Sequence, residues 1–173
     1  VTLGAPPETD ADDVLELYAG IAETGVPVIG GDTTAAPQLV LSVTAVGRSE
    51  RVPGRAGARP GDTLVVTGPL GAAGAAFRQE TFVRPPLRLA EGKELAAHAH
   101  AMLDLSDGLA VDARHLAARS GCRLAVELER VPLVAGAELE DVGFGEDYEL
   151  LAAVGRQTRF TEIGCCEEGA GVV

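Results

Sequence analysis

The stretch Ala101-Met-Leu-Asp-Leu-Ser-Asp-Gly-Leu-Ala110 decides how the rest of the chain is interpreted. Its apolar start predicts a short buried strand, and a helical pattern begins directly after the turn. Two carboxylates and a hydroxyl, from Asp104, Asp107 and Ser106, therefore stand between a strand and a helix N-terminus. The amides of a helix N-terminus favour anions, and Mg²⁺ binds carboxylate and phosphate oxygens. The stretch thus favours a magnesium–phosphate site.

A purely structural role for this turn is the alternative. Ser106 or Asp107 could simply cap the helix, because a side-chain oxygen at that position accepts a backbone N–H. Capping would not explain Asp104, which we expect at the end of a buried strand. A carboxylate buried there is costly unless it is paired or binds a metal. Both interpretations stay open at this point.

Composition excludes several classes of partner. The chain has 173 residues and a formal net charge of −12, which argues against nucleic-acid backbones and anionic membrane surfaces. It contains no run of about 18 apolar residues and no N-terminal signal pattern. The cysteines Cys122, Cys165 and Cys166 are odd in number and lack a CxxC spacing, which is typical of reduced thiols. We therefore expect a cytoplasmic protein without nucleic-acid or membrane partners.

Two further turns are rich in acids. Gly30-Gly31-Asp32-Thr33-Thr34 follows a predicted strand, and Gly145–Leu151 leads into another. A plain turn would use the same residue types. The chain has no GxxxxGK[ST], GxGxxG or GxSxG motif, which leaves these turns as the candidate chemistry. Acids gathered from several turns could hold metal ions on a polyphosphate, as phosphoryl transfer requires. The acids and hydroxyl concerned are Asp32; Asp104, Ser106 and Asp107; and Glu146, Asp147 and Glu149.

The coarse pattern alternates helices and strands. Helices are predicted after Asp10 as N-cap, from Pro86 in a first turn, and from Leu109 to Gly121. The polar, Arg- and Gly-rich segment 49–60 suggests a boundary between domains. Periodicity alone would also allow a doubly wound sheet. Strands are predicted near residues 26–29, 39–47, 63–67, 101–105, 123–128 and 148–154.

Several motifs together resemble one known family. They are GGDTT at 30–34, ARPGD at 58–62, VVTGPLG at 65–71, DLSDGLAVD at 104–112 and GEDYELL at 145–151, with VTLGAPP at the start. In this order they resemble the thiamine-monophosphate kinase family, part of the aminoimidazole-ribonucleotide-synthetase (PurM-like) superfamily. DLSDG is moderately specific alone, and the pair with GEDYEL downstream is strong.

The resemblance implies an α+β, PurM-like two-domain fold. Residues 1–50 would be the remaining part of a β-rich N-terminal dimerisation domain, and residues 54–173 a C-terminal α/β sandwich domain. It also implies a homodimer with sites at the cleft between domains. The family's N-terminal acidic segment and aromatic C-terminal end have no counterpart in this sequence. We therefore expect an incomplete view of the enzyme.

The resemblance also implies an activity and its residues. The family transfers the γ-phosphoryl group of ATP, as co-substrate, to thiamine monophosphate, with Mg²⁺ as cofactor. No side chain is assigned as a catalytic group. Carried over by motif, the metal ligands are Asp32, Asp104 and Asp107; the nucleotide-binding residues are Arg55, Ser106 and Tyr18; and Glu146 binds the substrate. For Tyr18, packing in the core is the simpler explanation of its helical position.

Two other functions remain possible from sequence. One is a different ATP enzyme of the superfamily, such as a purine-pathway synthetase or a hydrogenase- or selenium-related maturation enzyme. The other is a non-catalytic module that binds Mg²⁺ and nucleotide. The turn at Gly145–Leu151 favours the kinase over both.

Overall fold

A three-stranded sheet organises the first part of the chain. Strand β1 (Thr2–Ala5) lies in the centre, parallel to β2 (Asp32–Ala35) and antiparallel to β3 (Val40–Ser42). Helix α1 (Ala11–Ala22) is capped by Asp10, whose Oδ1 accepts the Asp12 N–H at 2.9 Å, so the predicted N-cap is confirmed. The computed structural model describes residues 1–173 and divides into two units, Val1–Ser49 and Glu50–Val173.

Two strand predictions in the first unit are wrong. Residues 26–29 form no strand; Pro27 has no N–H to donate to a sheet, and Ile29 is 89% exposed. Asp32 therefore begins strand β2, whereas the sequence pattern placed it after the end of a strand. The strand predicted at 39–47 is limited to β3.

The second unit is built on a six-stranded sheet of mixed α/β character. All neighbouring strands are antiparallel except β6 and β9, which excludes the doubly wound parallel sheet that periodicity allowed. The predicted strands at 63–67, 101–105, 123–128 and 148–154 are present with shifted ends. The order across the sheet is β5 (Ala99–Asp104), β7 (Leu150–Val154), β4 (Thr63–Val66), β8 (Thr161–Glu167), β6 (Arg123–Val126) and β9 (Gly171–Val172).

Both faces of this sheet are covered. On strand β4, Leu64 and Val66 are buried in the core that contains the apolar face of helix α4 (Leu109–Ser120). Val65 is buried in a second core with Leu95 of helix α3 (Leu89–Ala96). Because successive side chains of a strand point to opposite faces, one fully apolar strand serves both cores. The packing fixes the turn after β5, since α4 follows that turn directly.

The start of one helix differs from the start that the sequence pattern predicts. Helix α3 begins at Leu89, with Arg88 as N-cap, and not at Pro86 as predicted. The first hydrogen bond of the helix runs from the Gly92 N–H to the Arg88 carbonyl, at 2.8 Å, and the Arg88 side chain is held by the buried Glu149. Helix α2 (Ala72–Arg78) is short, and two 3₁₀ turns cover Leu128–Arg130 and Leu139–Gly143. None of the helices has the length and apolar character that a membrane span requires.

Candidate functional site

Two acid-bearing turns lie against each other at one edge of the second unit. They are residues 104–108, after β5, and residues 143–149, before β7; we call them the paired turns. Three backbone hydrogen bonds join them: Glu146 N–H to the Ser106 carbonyl (3.0 Å), Tyr148 N–H to the Leu105 carbonyl (2.9 Å) and Leu105 N–H to the Glu149 carbonyl (2.8 Å). Segments far apart in sequence thereby place Asp104, Ser106 and Asp107 beside Glu146.

The paired turns form an exposed acidic edge. The carboxylates of Asp104, Asp107 and Glu146 are all exposed. The Tyr148 hydroxyl donates to Glu146 Oε2 at 3.2 Å. Partial burial raises the pKa of Tyr148, and the negative charges of Glu146, Asp104 and Asp107 raise it further. The edge therefore carries a negative potential that attracts cations. Because Asp104 is exposed, the expectation that its carboxylate is buried is wrong, and its role as a metal ligand stays a prediction.

Helix α4 begins without a side-chain cap. Its N-cap is Gly108, at φ +96°, so the capping alternative for Ser106 and Asp107 is wrong. The Asp107 N–H is bound instead by the carboxylate of Asp112, at 2.9 Å. Asp112 is 2% exposed, and burial is the main reason that its pKa is raised. The buried Asp112 carboxylate thus binds the backbone of the turn, while the side chain of Asp107 stays exposed.

Asp112 is a residue that sequence reasoning missed. The signal for it was its place at the end of DLSDGLAVD, next to Ala113 on the buried face of α4. A carboxylate on a buried helical face needs hydrogen-bond donors, and the backbone N–H of Asp107 in the preceding turn supplies one.

Of the three acids that made the second turn a candidate site, two are buried in the structure. The buried Asp147 accepts the N–H groups of Gly71 (2.8 Å) and Ala73 (3.2 Å) at the start of α2. Glu149, 2% exposed, accepts two hydrogen bonds from the Arg88 guanidinium, at 2.6 and 2.7 Å. Thr67 adds a third hydrogen bond to it, at 2.5 Å. These two carboxylates hold the framework, and Glu146 alone remains exposed.

We expect Gly145→Ala to disturb the paired turns. Gly145 has φ +89°, and a Cβ added there would overlap the Ser106 carbonyl oxygen. Gly136→Ala is a matched control, since Gly136 has φ +85° and a Cβ added there would meet nothing within 4 Å. Both changes carry a backbone strain of roughly 1–2 kcal/mol, and only Gly145→Ala adds a clash. Urea unfolding of both variants measures the difference; equal losses would show that the close approach is unimportant.

An aromatic cavity of about 350 Å³ lies beside Glu146. Three of the four phenylalanines in the chain line it, namely Phe77, Phe82 and Phe144. The rings of Phe77 and Phe144 stack with centroids 4.8 Å apart, and Tyr148 lines the same cavity. Sequence reasoning missed this cavity. Its only signal was that Phe144 and Tyr148 flank Glu146 in a chain with few aromatic residues; nothing local indicates that Phe77 and Phe82 would join them.

The remaining predicted site residues lie elsewhere. Arg55 is exposed, and its carbonyl accepts a hydrogen bond from Ser120, the last residue of α4, at 3.2 Å. Its backbone is therefore at the end of α4 opposite the paired turns. In the first unit, Asp32 is exposed on β2 and its Oδ1 accepts the Thr33 N–H at 2.9 Å. Tyr18 is half-buried on α1.

The side chains of the paired turns suit one mode of metal binding. Across the 173 residues, no group of three or more His, Cys, Asp or Glu side chains could hold a metal ion. Mg²⁺ is usually bound by one or two carboxylates together with substrate phosphates and water, and seldom by an all-protein cage. Two exposed carboxylates, from Asp104 and Asp107, with the Ser106 hydroxyl between them, fit that mode.

Comparison with known proteins identifies the family to which this fold and its site belong. The family described as AIR synthase related protein, C-terminal domain, matches residues 59–168. The matched range contains both paired turns. Thiamine-monophosphate kinase of Halobacterium salinarum is 37% identical over 168 residues, and that of Aquifex aeolicus is 32% identical over 208 residues. The chain therefore belongs to the thiamine-monophosphate kinase family, within the AIR synthase related proteins.

Solved structures agree with this assignment. The crystal structure of the Aquifex aeolicus kinase aligns with a TM-score of 0.84 at 31% identity, covering 99% of this chain and 70% of that one. AaThiL complexed with AMPPCP and TMP aligns with a TM-score of 0.83, covering 99% of this chain and 67% of that one. E. coli HypE, at 17% identity and a TM-score of 0.76, shares the fold. The chain spans 58% of the Halobacterium relative and 68% of the Aquifex relative.

Proposed function

We propose that this chain is part of a kinase that transfers the γ-phosphoryl group of ATP to thiamine monophosphate, giving thiamine diphosphate and ADP. The observation that carries the proposal is the pairing of the two turns that bear the family motifs. A relative of the same family binds AMPPCP and TMP, and the chain is 32% identical to the Aquifex kinase over 99% of its length.

In this proposal the paired turns are where the phosphoryl group is transferred. Asp104 and Asp107 would hold Mg²⁺, and Ser106 would contact the nucleotide. Bound Mg²⁺ would supply the positive charge that neutralises the transferred phosphoryl group. The protein's own contribution is positioning: Asp112 holds the Asp107 amide, so the carboxylates stay in place without large rearrangement. Asp32 stays a predicted metal ligand.

The aromatic cavity is proposed to receive the thiamine rings. Thiamine carries a cationic thiazolium ring and an aromatic pyrimidine. Stacked phenylalanines offer aromatic faces to both rings, and the Glu146 carboxylate offers an opposite charge to the thiazolium. The exposure of Phe77 (67%) and Phe82 (86%) leaves these rings accessible to a ligand.

The domain organisation and assembly are part of the same proposal. Residues 1–50 would belong to an N-terminal dimerisation domain and residues 54–173 to the C-terminal domain. Support comes from the first unit, where apolar side chains such as Ile29 (89% exposed) and Val46 (84% exposed) are uncovered. Such side chains are typical of a surface that a partner covers. The homodimer, the cytoplasmic location, the roles of Arg55 and Tyr18, and the absence of nucleic-acid and membrane partners stay predictions.

The substrate assignment is tested at Glu146. In the full-length enzyme, we expect Glu146→Gln to raise the KM for thiamine monophosphate roughly tenfold, because one charge-assisted contact is lost. The KM for ATP should change little. Steady-state formation of thiamine diphosphate measures both constants. Glu168→Gln, the same change at an exposed position outside the paired turns, is the control.

An unchanged KM for thiamine monophosphate in Glu146→Gln would contradict the role of Glu146 and leave the proposed activity in place. Thermal stabilisation of the enzyme by formylglycinamide ribonucleotide and not by thiamine monophosphate would contradict the activity and favour another ATP enzyme of the superfamily. Binding of an ATP analogue with Mg²⁺ but without turnover would favour a non-catalytic module.

A further inference from the structure

A second cavity, of about 500 Å³, lies at the far end of helix α4 from the paired turns. Three of its lining residues can carry positive charge: Arg55, His115 and Arg119. Gly54 and Ala56 complete the lining and add no side chain that would fill it. The chain as a whole is strongly acidic, with a formal net charge of −12, so this grouping of cationic side chains is local.

The loop that carries Arg55 is held rigidly against α4. The Ser120 hydroxyl donates to the Arg55 carbonyl at 3.2 Å and accepts the Ala58 N–H at 3.2 Å. Ala58 is itself buried in the main core. The backbone of the loop is thereby fixed while the Arg55 side chain stays exposed.

The two helix residues face the same way. His115 and Arg119 are four residues apart and both exposed, so they stand one above the other on the outer face of α4. No hydrogen bond or ion pair to another part of the chain involves the side chain of Arg55, His115 or Arg119. The uncompensated guanidinium groups of Arg55 and Arg119 around one cavity repel each other, and an anionic ligand relieves that repulsion.

The position of the cavity limits which part of a ligand it can bind. Helix α4 has 12 residues, so its two ends are about 18 Å apart. Side chains on a helix lean toward its N-terminus, here toward the paired turns. A nucleotide whose terminal phosphate lies at the paired turns would extend along the outer face of α4. Its phosphates closer to the nucleoside would then approach Arg119 and His115.

We propose that His115 and Arg119 share with Arg55 the binding of a phosphate group on the nucleoside side of ATP. The inference rests on the proposed function for the identity of the nucleotide. It assigns two residues that the motifs did not indicate. It also divides the nucleotide site into two parts. The carboxylates of the paired turns would bind the nucleotide through Mg²⁺, and the cationic side chains of the second cavity would bind a phosphate group directly, without a metal ion.

Calorimetric titration of the full-length protein tests this division. Arg119→Ala is expected to raise the Kd for a non-hydrolysable ATP analogue about tenfold and His115→Ala several-fold, since each loses a charge-assisted contact. Arg114→Ala is the matched control, because Arg114 is an exposed arginine of the same helix that does not line the cavity. AMP should bind without Mg²⁺, and Arg119→Ala should weaken that binding as well.

A structural role for Arg119 gives a different result. Arginine in the last turn of a helix stabilises the helix dipole, so its loss could lower the Tm alone. Arg119→Lys should restore much of the nucleotide affinity if charge is what binds the phosphate. A lowered Tm with unchanged Kd in Arg119→Ala would overturn the proposal. So would binding of inorganic phosphate that AMP does not displace, since the cavity would then bind free phosphate.

The two proposals fail separately. If the variants weaken ATP binding but the wild-type protein does not phosphorylate thiamine monophosphate, the proposed function fails and the cavity assignment holds. If the wild-type protein is an active kinase and neither variant changes the Kd, the cavity assignment fails alone.

Discussion

Turnover of the full-length enzyme should fall by roughly 10²-fold or more when Asp107 is replaced by Asn. The change keeps the size and one oxygen of the side chain and removes the negative charge that would hold Mg²⁺. Asp107 is exposed, and its backbone N–H is bound by Asp112. We therefore expect the substitution to leave the turn folded. The lost negative charge should lower turnover with little change in Tm.

Asp104→Asn is expected to act in the same way. Its carboxylate is the second exposed acid of the turn and is not part of the core. Asp12→Asn, an exposed aspartate on α1, serves as the control and should keep near-wild-type turnover. The measurement is the rate of thiamine diphosphate formation at saturating ATP over a range of Mg²⁺ concentrations. Near-wild-type turnover in both Asp104→Asn and Asp107→Asn would refute the role of the paired turns.

The second large effect concerns stability. Arg88→Ala is expected to lower the free energy of unfolding by about 3 kcal/mol, because a buried charge is left without its partner. Glu149 is 2% exposed and accepts two hydrogen bonds from Arg88, at 2.6 and 2.7 Å. Those bonds raise the pKa of Arg88, whose side chain also pairs with Glu91 at 3.2 Å. Thr67 alone cannot compensate the Glu149 charge.

Two further variants separate this pair from ordinary surface charge. Arg130→Ala removes an arginine that pairs only with exposed glutamates, and should cost less than about 1 kcal/mol. The double variant Arg88→Met, Glu149→Gln should recover part of the stability, since no unpaired charge stays buried. Urea unfolding followed by circular dichroism gives the values. A loss in Arg88→Ala no larger than that in Arg130→Ala would mean that water solvates Glu149.

The local pattern of the sequence was sufficient for several elements. The N-cap at Asp10 and the end of α4 at Gly121 followed from residue type and position, because capping is a local interaction. The buried face of α4 followed from its period, with Leu109, Ala113 and Leu116 all buried. Strand ends were less accurate, because they depend on partners far away in sequence, as Pro27 illustrates in the absent strand at 26–29.

The roles of the acids could not be read from sequence in the same way. Glu146, Asp147 and Glu149 are neighbours in one motif, yet only Glu146 is exposed. Left-handed backbone at Glu146 (φ 61°) and Tyr148 (φ 52°) breaks the simple alternation of strand side chains. The direction of each carboxylate is therefore set by the shape of the turn, which is held by contacts with residues 105 and 106.

By itself, the sequence determined the family, the helix signals and the acidic motifs of this protein, because those depend on residue identity and short spacing. The tertiary structure alone decided which acids face outward and which hold the framework. It also decided that Arg55 lies at the other end of α4 and that three phenylalanines share one cavity with Glu146. The physical reason is that burial and charge pairing join residues from distant segments, and no local pattern records which segments will meet.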